Sequence, residues 1–61
     1  MRKKYYAVMN VGVVRMEHAK DEDEAQRLAF GMVSPRTKVY DLGTNKVEAY
    51  KRLVELGLGE M

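Results

Sequence analysis

The stretch from Tyr5 to Glu17, YYAVMNVGVVRME, constrains the fold more than any other part of the chain, because only one shape gives it a single apolar face. Read as one straight strand, its odd positions carry Tyr5, Ala7, Met9, Val11 and Val13, and its even positions carry Tyr6, Val8, Val14 and Met16. Such a strand has to be buried on both sides. Folding at Asn10-Val11-Gly12 removes that demand. Asparagine favours turns, and Gly12 suits the left-handed position of a three-residue loop with a G1 bulge. The arms then pair Met9 with Val13, Val8 with Val14, Ala7 with Arg15, Tyr6 with Met16 and Tyr5 with Glu17, and cross-strand partners share a face. This register predicts one face of Tyr6, Val8, Val14 and Met16. The other carries Tyr5, Ala7, Arg15 and Glu17, with Met9 and Val13 near the tip.

Beyond Ala19-Lys20, the run Asp21-Glu22-Asp23-Glu24 has the composition of a metal site but the position of a helix start. Asp21 as N-cap with Glu24 at N3 resembles a capping box, and the other acids suit the positive end of the helix dipole. The apolar positions Ala25, Leu28, Ala29 and Met32 then form a stripe that covers the sheet, with Val33 widening it and Phe30 on its flank. Gly31 weakens the last turn and Pro35 turns Ser34 away from helical angles, so the helix is expected to stop near Val33. Residues Thr37 to Leu42 have strand propensity between Ser34-Pro35 and Gly43-Thr44-Asn45, and predict a third, edge strand. A second helix begins at Thr44 or Asn45, with Asn45 and Glu48 at capping distance. Its broad stripe of Val47, Ala49, Tyr50, Leu53, Val54 and Leu56 packs on one side and reaches toward a partner on another. Gly57 is the expected C-cap, and the tail Leu58 to Met61 is expected to fray.

The predicted architecture is a single α+β domain over residues 1–61. Its elements run ββαβα, with a three-stranded antiparallel sheet of order 2-1-3 and two helices on one face. Sixty-one residues bury only about 60% of the surface of the unfolded chain, which leaves little room for an enzyme cleft. Without cysteine, disulfides and zinc-thiolate sites drop out, so extra support must come from packing, oligomerisation or a partner. A cytoplasmic location fits that composition. Apolar runs fall short of the roughly 20 residues that cross a bilayer, and 46% hydrophobic content argues against intrinsic disorder.

Catalysis finds little support. His18 is the single histidine, Ser34 the single serine, and neighbouring strand residues point to opposite faces, so no triad is apparent. Neither a catalytic residue, a cofactor site nor a metal site is predicted. Gly43-Thr44-Asn45-Lys46 has the makings of an anion cradle, and a helix cap alone explains it. Protein association is the leading expectation, through Tyr5, Ala7, Met9, Val13 and Arg15 on an open sheet face, with a second copy of the chain or another protein as partner. The alternative is a small nucleic-acid binder in which Arg2, Lys3, Lys4, Arg36 and Lys38 contact phosphates and Tyr5 stacks on a base. Eleven Lys and Arg against nine Asp and Glu give a net charge of only +2, a weak field for that task.

The segment VVRMEHAKDEDEAQRLA resembles the strand-then-helix part of small DpnD-like and related hairpin-helix proteins of phages and mobile elements. Val14, Met16, Ala19, Asp21, Glu24, Ala25 and Leu28 carry the resemblance. All are structural positions, so it transfers no functional residue. It implies a phage-like accessory or inhibitor protein that binds a host macromolecule.

Overall fold

The hairpin forms, with a loop one residue shorter than the turn chemistry predicts. The computed structural model describes residues 2–56. In it β1 (Lys4–Asn10) and β2 (Val13–Ala19) pair antiparallel around a two-residue loop, Val11-Gly12. Both loop residues have positive φ, 50° at Val11 and 76° at Gly12. This is the mirror-image turn whose twist matches that of the flanking strands. The register follows as Tyr5 opposite His18, Tyr6 opposite Glu17, Ala7 opposite Met16, Val8 opposite Arg15, Met9 opposite Val14 and Asn10 opposite Val13. A shift of one residue moves every β2 side chain to the other face. Val14 and Met16 therefore lie with Tyr5, Ala7 and Met9, whereas Val13, Arg15 and Glu17 lie with Tyr6 and Val8.

Helix α1 (Glu22–Phe30) starts where the acidic run predicts. The Glu24 N–H donates to Asp21 Oδ1 at 2.8 Å, and Glu24 Oε1 accepts from the Lys20 N–H at 2.8 Å. It ends earlier than predicted, because Gly31 takes a left-handed φ of 80° and donates its N–H to the Arg27 carbonyl at 2.8 Å. Met32 and Val33 thus fall outside the helix and are exposed. Ala25 and Ala29 pack toward the sheet as expected. Leu28 does not: it is 54% exposed, and Gln26 is buried in its stead with Oε1 accepting from the Ser34 N–H at 3.0 Å.

Strand β3 (Lys38–Gly43) pairs antiparallel with the other side of β1, which gives the expected order β2-β1-β3. Ala7 faces Tyr40, Val8 faces Val39 and Met9 faces Lys38, and a bulge between Tyr5 and Tyr6 shifts the ladder near Leu42. Helix α2 (Lys46–Glu55) is capped by Asn45, whose Oδ1 accepts from the Glu48 N–H at 3.0 Å. The expected cap at Gly57 and the tail lie outside the described residues.

The two helices occupy opposite faces of the sheet, not one. Ala25 of α1 joins Tyr6, Val8 and Ala19 in one core cluster, with Ala29, Phe30 and Val39 against it. Ala49 and Leu53 of α2 join Ala7 and Leu42 in a second, flanked by Tyr5, Val14, Met16 and Tyr40. Ala7 and Val8 are successive strand residues and point to opposite sides, yet both have no exposed surface, so each side must be covered. Among the described residues no helix is long and apolar enough to cross a membrane.

Candidate polypeptide-docking site

Each sheet face meets one helix, but the two helices cover different amounts of it. Helix α1 lies against all three strands, whereas α2 approaches β3 and β1 without reaching β2. The half-covered remainder holds Tyr5, Val14 and Met16, which pack against the edge of the α2 cluster, together with the half-buried Met9 and the exposed His18. The His18 ring stacks on Tyr5 with centroids 4.4 Å apart and planes 11° from parallel.

The orientation of α2 turns this half-sheet into a trough. Helical residues advance about 100° each, so Ala49 and Leu53 point into the core while the residues beside them fall on two flanks. Arg52, Glu55 and Leu56 line a shallow cleft with Val39, Tyr40 and Asp41, which fixes that flank over β3. The opposite flank carries Tyr50, which is 51% exposed, while Val54 and Val47, 66% and 63% exposed, lie further round the helix, where Val54 shares an open outer surface with Lys51 and Glu55. Tyr50 thus borders the shallow trough over the half-covered part of the sheet, and the exposed apolar surface of α2 continues outward from it through Val54 and Val47. Exposed large apolar side chains grouped on one side of a small domain mark interaction sites, and this side holds Tyr50, Val54 and Val47.

Over β3 the electrostatics are tighter. Asp41 Oδ1 accepts from the Gly43 N–H at 2.8 Å, and Oδ2 meets Lys4 Nζ at 3.3 Å. The backbone donor first and Lys4 second hold this carboxyl below its ordinary range. Burial pushes the Tyr6 phenol up, and the neighbouring Asp41 charge adds to the shift. Both groups belong to the scaffold beneath α1 and the bulge.

The five residues predicted to form one open partner face do not share a face. Tyr5 and Met9 lie in the trough floor, but Ala7 is sealed beneath α2, and Val13 and Arg15 sit on the side covered by α1. The register shift accounts for the last two, and the placement of α2 for the first. The predicted nucleic-acid set is divided as well. Lys4 lies opposite Ala19 at one end of β1 and pairs with Asp41, while Lys38 lies opposite Met9 near the other, about 17 Å away at the rise of a strand. Arg36 precedes Lys38 and belongs to the far end; Arg2 and Lys3 belong to the near one.

Val14, Met16 and His18 enter the site only through the observed register. For Val47, Tyr50 and Val54 the breadth of the apolar stripe on α2 already pointed outward. The Asn45 side chain is engaged in capping α2, and the acidic run in capping α1. Among the described residues no group of three or more His, Asp or Glu side chains converges to hold a metal ion. No known protein family, curated protein or solved structure matches the chain.

Proposed function

We propose that the chain is a non-catalytic protein-interaction module that holds an apolar segment of another polypeptide. The observation that carries this reading is the trough: Tyr5, Met9, Val14 and Met16 lie half-buried in its floor, Tyr50 of α2 borders it, and the exposed Val54 and Val47 extend the apolar surface outward from that border. Tyrosine and methionine are enriched at interfaces because they supply large, adaptable contact area. A cysteine-free chain also suits a reducing, cytoplasmic setting, and a phage-like accessory role is what the resemblance to DpnD-like proteins implies.

Affinity capture with the wild-type chain and with the Tyr50→Ser/Val54→Asp variant tests the reading, with nuclease and high-salt washes in parallel. Both substituted positions are exposed, so the variant is expected to keep its circular dichroism spectrum. A stoichiometric protein that withstands nuclease and salt on the wild type and is lost on the variant supports the module. Recovery of nucleic acid that disappears with salt, equally on both chains, overturns it in favour of the basic residues.

A further inference from the structure

We infer that the chain self-associates by antiparallel pairing of β2 with β2 of a second copy, giving a continuous six-stranded sheet. The inference rests on the reading of the chain as a protein-interaction module and names one partner for it. Both β2 and β3 are edge strands, and they differ in how regular an edge they offer. Edges are commonly protected by bulges, charges and covering elements. On the β3 side the ladder shifts beside Tyr5 and Tyr6, and Arg52, Glu55 and Leu56 of α2 stand beside Val39, Tyr40 and Asp41 across a shallow cleft. Strand β2 has a regular seven-residue ladder with β1 and contains no proline; α1 packs on its Arg15 and Glu17 face, and among the described residues no strand pairs with its outer edge.

The hydrogen-bonding groups on that edge follow from the hairpin. The two-residue turn makes Asn10 and Val13 a hydrogen-bonded pair, and such pairs alternate with non-bonded ones along an antiparallel ladder. Val14, Met16 and His18 are therefore the β2 residues whose N–H and C=O groups point away from β1. A two-fold pairing centred on Met16 places Met16 against Met16 and Val14 against His18 of the second copy, each exchanging backbone hydrogen bonds.

The same register matches the charges. Arg15 falls opposite Glu17 of the second copy and Glu17 opposite its Arg15, as non-bonded pairs in which side chains lie closest. Centring the pairing on Arg15 or on Glu17 instead sets like charges against each other. The sequence VVRMEHA is thus self-complementary in one register. Within the single chain Arg15 reaches Glu17 only at 3.4 Å through Nε; 56% of the Arg15 side chain is exposed against 19% of that of Glu17, so Arg15 is the partner that turns toward the second copy to make the new contact. The assembled sheet also sets two trough floors side by side, each still flanked by its own α2.

Sedimentation velocity from micromolar to millimolar concentration tests the pairing, with circular dichroism to confirm that each variant is folded. The wild type is expected to move from monomer to dimer. Arg15→Glu and Glu17→Arg singly are each expected to weaken the dimer roughly tenfold, and the double reversal to restore it. Amide hydrogen exchange supplies a residue-level readout: the Val14, Met16 and His18 N–H groups gain protection as the dimer forms. A chain that stays monomeric throughout overturns the inference. So does a dimer indifferent to the charge reversals, or one in which those three amides exchange as they do in the monomer. The Tyr50→Ser/Val54→Asp capture experiment reads the trough separately, so failure of self-pairing and failure of the module reading are distinguishable.

Discussion

Val11 is the residue on which the geometry of the sheet turns. It is β-branched, sits at φ 50° and is 90% exposed, so the chain accepts a left-handed strain there with no packing gained in return. Replacing Val11 by Asn creates the Asn-Gly pair that this turn favours. The Val11→Asn variant is expected to be about 1 kcal/mol more stable, measured by urea unfolding with an unchanged slope. If the three-residue loop were right, Val11 would sit at an ordinary turn angle and the substitution would be close to neutral. The turn itself was legible from Asn10 and Gly12, but its length was not. A valine argues against positive φ, and that local preference points to the longer loop. The paired strands and their common twist prevail over it. One residue of loop length then decides that Arg15 lies beside Val8 and that Met16 lies beside Ala7.

At the scale of the elements, the helix starts were legible because a cap is a local device. Asp21 and Asn45 each accept from the N–H three residues ahead, as the spacing of Glu24 and Glu48 suggested. The rotation of α1 was harder to read. A stripe of Ala25, Leu28, Ala29 and Met32 is the apolar choice, yet termination at Gly31 removes Met32 from the helix and leaves Leu28 on the flank. Gln26 takes the inward place because its amide satisfies the Ser34 N–H, which ties the turn before β3 to the helix. Hydropathy cannot signal such a residue, since its burial depends on an acceptor being needed eight residues later. Gln26→Ala leaves that donor without its acceptor and is expected to cost about 1–3 kcal/mol, while Leu28→Ala is expected to cost about 0.5 kcal/mol or less. Thermal unfolding of the two variants checks the order. A costly Leu28→Ala beside a neutral Gln26→Ala would restore the predicted stripe.

For the whole molecule, strand order and pairing sense follow from connectivity, but the division of the helices between the two faces does not. Handedness places β3 beside β1 and leaves either face open to α2. The deciding feature is small: Ala7 is flanked by larger residues, and its short side chain lets Ala49 and Leu53 approach the central strand. An alanine in a sheet face reads as weakly apolar and exposed, whereas here it admits a helix. Ala7→Leu therefore discriminates between the two architectures. With α2 overhead, the larger side chain overpacks a site with no exposed surface and is expected to destabilise by about 1–3 kcal/mol, seen as a lower urea midpoint. Were both helices on the Tyr6 and Val8 face, Leu at position 7 would project into solvent and leave the midpoint unchanged. Met16→Leu, a near-isosteric change in the half-covered part of the same face, is expected to cost less than about 1.5 kcal/mol. The contrast between positions 7 and 16, cross-strand neighbours on one face, therefore measures where α2 stops and the trough begins.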